Sequence, residues 1–169
     1  MANVPRRGKD GGGSEPVVPS LLDRLIDDAP DRPVDRTAPT VRDVRASVRR
    51  DLENLLNTRM IRQEGVERHE QLRQSVLTYG LPDFSAIQLG VAEHKESLRR
   101  AVQTTIERFE PRLRRVSVQL LDIGDDRERV LHLRISAVLM MEPEPVPLHL
   151  DSRIHAADRM LRLRERRHG

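Results

Sequence analysis

The stretch Ile106-Glu107-Arg108-Phe109-Glu110-Pro111-Arg112-Leu113-Arg114-Arg115-Val116-Ser117-Val118-Gln119-Leu120 changes its apolar period at Pro111. Upstream, from about Val91, the positions Leu98, Val102, Ile106 and Phe109 recur every three or four residues, opposite Glu96, Arg99, Arg100, Gln103 and Glu107. That spacing predicts a two-faced helix, and Pro111 ends it because proline cannot continue the hydrogen-bonded turn. Downstream, Val116, Val118 and Leu120 alternate with Ser117 and Gln119, which predicts a strand with one buried and one wet face. The polar run Gly124 to Glu128 reads as a hairpin turn, and the return strand sets Leu131, Leu133, Ile135, Ala137 and Leu139 against His132, Arg134 and Ser136. Val146, Leu148 and Leu150 predict a third strand. Pro143, Pro145 and Pro147 confine it to an edge, since proline donates no ladder hydrogen bond, and the sheet is expected to end there.

Working towards the N-terminus, Thr40 and Asp43 form a helix start signal, and Val41, Val44, Val48, Leu52, Leu55 and Leu56 predict a helix from Val41 to about Asn57. A weaker pattern from Glu64 to Tyr79 predicts a short helix that stops at Gly80 and Pro82. Ser20 to Ile26, with Leu21, Leu22 and Leu25 on one stripe, predicts about two turns of helix, and Asp28 to Pro39 reads as a Pro-rich linker that lets it dock at a distance. The organisation is therefore a flexible leader (1–19), a docking helix with linker (20–39), an α+β domain (40–150) and a basic tail (151–169). The fold class is α+β, with helices packed on a small antiparallel sheet containing a long C-terminal β-hairpin. The tail carries six arginines against three acids and reads as a frayed amphipathic helix outside the core.

Composition narrows the function. A chain of 169 residues suits one core, and 37% hydrophobic against 34% charged residues makes that core modest. There are no cysteines, which removes disulfides and thiol chemistry and fits a reducing compartment. The longest apolar run is Ala137 to Met141, far short of the roughly 20 residues a membrane span needs. No signal peptide is legible in the leader, so a cytoplasmic location is expected. Of the 30 basic residues only Lys9 and Lys95 are lysines, and the net charge is +3. Nucleic-acid binding through the arginines is one alternative. Most of them, however, alternate with acids as in Arg49-Arg50-Asp51-Leu52-Glu53, and Tyr79, Phe84 and Phe109 are too few to build a base-stacking platform.

Phosphate-binding loops, nucleophile elbows, dinucleotide glycine patterns and helical His-Glu-His zinc motifs are all missing, so no catalytic residue, cofactor or metal ligand is assigned. Among the histidines only His132 and His149 can approach each other across paired strands, and solvated strand-face residues account for both. A small glycoside hydrolase using Asp122, Asp125, Asp126, Glu128, Glu142 or Glu144 is a further alternative, weakened by the lack of sugar-stacking aromatics. Glu110-Pro111-Arg112-Leu113 is more specific. Pro111 fixes a corner, and Glu110 and Arg112, two residues apart, suit directional hydrogen bonding either to another chain or within this one.

Four ordered segments carry a resemblance: Ser20-Leu21-Leu22-Asp23-Arg24-Leu25, Leu55-Leu56-Asn57-Thr58-Arg59, Ser75-Val76-Leu77-Thr78-Tyr79-Gly80-Leu81-Pro82-Asp83, and Phe109-Glu110-Pro111-Arg112-Leu113. In this order they resemble the TssE baseplate subunits of bacterial type VI secretion systems, related to the small wedge protein of contractile phage baseplates, over about Ser20 to Leu150. The resemblance implies a structural α+β protein without enzymatic activity. It further implies that the chain binds the TssF and TssG wedge components and helps to start assembly of the TssB/TssC contractile sheath. Glu110, Pro111 and Arg112 match the family's Glu-Pro-Arg motif, associated with baseplate assembly, while Leu21, Leu22 and Leu25 become a docking helix for a partner.

Overall fold

The computed structural model describes residues 40–61, 65–84, 91–122, 130–142, 144–155 and 160–166. The leader, the docking helix with Leu21, Leu22 and Leu25, the linker and the turn at Gly124 to Glu128 lie outside the described residues. Helix α1, Val41–Asn57, opens with a reciprocal capping box in which the Thr40 hydroxyl and the Asp43 carboxylate satisfy each other's backbone. Its stripe of Val48, Leu52, Leu55 and Leu56 is buried. Where one short helix is predicted between Glu64 and Tyr79, the chain is instead segmented into a 3-10 turn at Val66–Arg68, a single helical turn α2 at Glu70–Arg73, and a second 3-10 turn at Val76–Thr78. The reason is visible in burial: Val66 is buried, while Leu72, Val76 and Leu77 are all exposed, so no common apolar face holds a longer helix together.

Helix α3, Ala92–Phe109, buries Leu98, Val102 and Ile106. On its outer side Glu96 accepts from Arg99 and Arg100, and these two hydrogen bonds, Arg99 first, hold its carboxyl down to about 2. The triad is thus intact above the ordinary carboxylate range and lost only as pH falls towards that value.

Four antiparallel strands follow in the order β1-β2-β3-β4: β1, Leu113–Asp122; β2, Val130–Leu139; β3, Val146–His155; and β4, Leu163–Glu165. One apolar cluster joins Leu52 and Leu55 of α1, Val102 and Ile106 of α3, and the inward residues Val116, Val118, Leu133, Ile135, Leu148 and Leu150. The α+β architecture, with the long hairpin of β1 and β2, agrees with the reading from the sequence.

The C-terminal reading is corrected. The sheet does not end at residue 150: β3 runs to His155, and β4 pairs with it at Leu150 to Ser152. Leu161 and Leu163, assigned to a frayed helix outside the core, are 7% and 2% exposed. Their period is two, not four, since Leu161 and Leu163 alternate with Arg162 and Arg164, and the high charge of the tail masked that alternation. β4 pairs only with Leu150 to Ser152, so β3 has no ladder partner from β4 around Pro147, which donates no hydrogen bond.

Helix α1 fastens this final strand through its backbone. Asn57 donates from Nδ2 to the Leu161 carbonyl at 2.9 Å and accepts the Leu161 N–H at 2.7 Å, and Glu53 accepts the Leu163 N–H at 2.7 Å. Arg45 pairs with Glu165 further along. Asn57→Ala removes two part-buried hydrogen bonds and is expected to cost about 1–2 kcal/mol. A lowered urea midpoint, with faster hydrogen exchange at the Leu161 and Leu163 amides than at Leu133 and Ile135, checks it.

Candidate functional site

The corner between α3 and β1 is built by Pro111, which is exposed and turns the chain immediately after the helix. Glu110 caps the helix with its N–H bonded to the Ile106 carbonyl, and its own carbonyl receives the Leu113 N–H at 3.1 Å. The Glu110 residue is only 4% exposed. Its carboxylate takes a two-pronged contact from Arg112, at 2.8 Å from Nε and 2.6 Å from Nη2, and also the Arg112 backbone N–H at 3.2 Å. The same guanidinium reaches across to α1, where Nη2 meets Asp51 at 2.6 Å and Nη1 meets the Ser47 hydroxyl at 3.3 Å.

Four donor contacts from a group with about five N–H donors leave little capacity for a partner. Glu110, and after it Asp51, outweigh the partial burial of Arg112 and hold its guanidinium above even the ordinary arginine range. Of the two readings open at this corner, the geometry is that of an intramolecular clamp joining α3, β1 and α1. Ser47 and Asp51 were not singled out from the sequence. Their signal was there: they are four residues apart, each one position before the buried Val48 and Leu52, on the shoulder of the apolar stripe.

The segment from Ser75 to Asp83 folds onto this clamp. Tyr79 meets Phe109 edge to face, with centroids 5.4 Å apart at 70°. Burial, then the negative charges of Asp51 and Glu110, push the Tyr79 hydroxyl above its ordinary pKa. Gly80, at φ +105°, lets Leu81 pair with the end of α1: its N–H bonds to the Thr58 carbonyl at 2.9 Å and its carbonyl accepts the Met60 N–H at 2.8 Å. Arg59 and Asp83 lie 3.7 Å apart at the surface of the same junction. Three of the four segments that carry the family resemblance therefore meet in space, while Ser20 to Leu25 lies outside the described residues.

Other sequence candidates are not brought together. His132 stands opposite Arg153 and His149 opposite Ser136, four ladder positions apart and hence about 13 Å along the strands. His149 Nδ1 lies 3.1 Å from the Ser136 hydroxyl. Glu142 and Glu144 are exposed beside Pro143. No helix among the described residues is long and apolar enough to cross a membrane.

The described residues form a two-layer α+β domain whose corner is fastened from within and whose first strand pairs only with β2 among the described residues. The chain belongs to the family of baseplate wedge protein gp25, whose model matches residues 42–144, more than half of its length. Among solved structures, a chain of the baseplate complex from the type VI secretion system shares the fold at 20% identity and a TM-score of 0.51. The match covers 69% of this chain and 97% of that one. Comparison with curated proteins gives no match.

Proposed function

We propose that this protein is the wedge subunit of a type VI secretion baseplate in the cytoplasm. In this role it binds TssF and TssG within the wedge and starts growth of the TssB/TssC sheath by accepting a strand from it. The observation that carries the reading is β1: ten residues long, at the edge of the sheet, and with no strand on its outer side among the described residues. The edge expected at Pro147 is partly covered, because β4 pairs with β3 at Leu150 to Ser152, whereas β1 pairs with β2 alone among the described residues. Main-chain bonds to such an edge give affinity with little demand on side chains.

Glu110, Pro111 and Arg112 serve this role as positioning residues. The clamp fixes the start of β1 against α1, so the edge is presented in one orientation, and Leu21, Leu22 and Leu25 supply a tethered contact to the wedge. Membership of the baseplate wedge family supports a structural role over the hydrolase and nucleic-acid alternatives.

Proline placed singly at each position from Ser117 to Leu121 tests strand addition. Along an antiparallel strand, N–H groups point alternately towards the neighbour and away from it. Prolines that remove a bond to β2 are expected to lower the melting temperature, whereas those that remove an outward N–H leave the fold intact and abolish sheath nucleation. Normal sheath growth in every folded variant would count against the proposal.

A further inference from the structure

Resting on strand addition at β1, we infer that the bulge in this strand selects its partner: Arg114 and Arg115 favour an acidic extended segment of another chain. The bulge has a packing cause. Leu113 and Val116 are 3% and 6% exposed, yet they are three residues apart, and a regular strand would place them on opposite faces. One extra residue restores both to the core. Arg114 stands opposite Val138 and Ser117 opposite Ser136, so Arg115 and Val116 share Ala137.

Arg115 takes the left-handed conformation that this geometry demands, at φ +53°. Glycine enters that region freely and is the usual residue at such a position. Packing alone explains why a residue is inserted; it does not explain why the residue is arginine. Strained backbone of this kind persists only where the surrounding structure imposes it, and it clusters at functional sites.

That side chain is available. Arg114 and Arg115 are both exposed and, among the described residues, make no ion pair or hydrogen bond through their side chains; Arg49, Arg162 and Arg164 are alike in this, but they do not lie on the first strand. Two uncompensated guanidiniums beside an open ladder repel a second copy of the same edge, which would bring its own pair. They attract carboxylates on an incoming strand, where the backbone bonds set the register and the charges choose the partner.

The test titrates the 15N-labelled full chain with an eight-residue peptide alternating valine and glutamate, and with glutamine and lysine counterparts. The glutamate peptide is expected to shift the amides of residues 113–121, to bind at least ten-fold more tightly than the lysine peptide, and to weaken with added salt. Arg115→Gly is expected to raise the melting temperature while reducing the preference for glutamate, and Arg114→Ala with Arg115→Gly to erase it. Shifts along β1 with equal affinity for all three peptides would overturn the charge selection and leave strand addition standing. Binding with no shift on β1 would overturn both. A lowered melting temperature for Arg115→Gly, with the preference intact, would show that Arg115 acts in the fold alone.

Discussion

Glu110→Ala is expected to lower the unfolding free energy by about 2–4 kcal/mol, below the usual cost of breaking a fully buried pair because the Arg112 side chain remains 28% exposed. The substitution removes the acceptor of two charge-assisted bonds and of the Arg112 backbone N–H, and leaves a half-buried guanidinium with Asp51 as its remaining carboxylate. The urea midpoint reads the loss. Glu110→Gln, which keeps the shape and loses the charge, should fall between wild type and alanine. Arg112→Lys should also destabilise, since one ammonium cannot span Glu110, Asp51 and Ser47 at once.

The thermodynamic coupling between Glu110 and Asp51 gives the clamp a sharper signature. Both carboxylates share one guanidinium, so Glu110→Ala and Asp51→Ala together should depart from the sum of the single losses. Strict additivity would show that the contacts do not act as a unit. Co-purification with TssF and TssG, run beside the melts, separates positioning from direct recognition. Capture that tracks the folded fraction fits a Glu110 residue only 4% exposed. Capture abolished in a stable variant would instead place the corner itself against a partner.

Gly80→Ala is expected to cost about 3 kcal/mol or more, combining left-handed strain with a steric conflict the backbone cannot relieve. A Cβ at this position would lie 2.4 Å from the Thr58 carbonyl oxygen and 2.9 Å from its carbon, at the point where Leu81 bonds to the end of α1. The flexible tip of a side chain could move away; a backbone carbonyl already bonded to the Leu81 N–H cannot do so without breaking that bond. Gly65 supplies the control. It also has positive φ, +89°, but a Cβ there meets nothing within 4 Å, so Gly65→Ala should cost only about 1 kcal/mol. Thermal melts of the two variants compare directly, and equal losses would remove the Thr58 contact as the cause.

The long elements were legible because each carries one uninterrupted period. Residues 41–57 and 92–109 repeat every three or four positions and form helices, and residues 131–139 alternate and form β2. The strand in the tail is hidden by charge: Arg162 and Arg164 flank Leu161 and Leu163, which complete the core. The segment from Glu64 to Tyr79 is obscured for a different reason. Scattered apolar residues there suggest a helix, yet the residues that matter are Tyr79, Gly80 and Leu81, which dock on α1 and on Phe109.

At the site, the Glu-Pro-Arg corner was visible in one dimension because Pro111 and two opposite charges stand side by side. The partners of Arg112 were not, since Asp51 lies 61 residues away and an aspartate in a mixed-charge helix pattern is equally compatible with solvent. The bulge is intermediate. The odd spacing of Leu113 and Val116 hints at it, but only the β2 register shows which residue is inserted and that it is an arginine at positive φ.

Local periodicity and proline placement by themselves determined the class of fold, the two long helices, the hairpin and the corner, because each depends on residues within a few positions of one another. Whether β3 is left at the edge, and whether Glu110 and Arg112 face inward or outward, were decided only in three dimensions. Both depend on contacts between distant segments, β4 closing on β3 and Arg112 reaching α1, whose free energy comes from burial and paired charge rather than from local propensity.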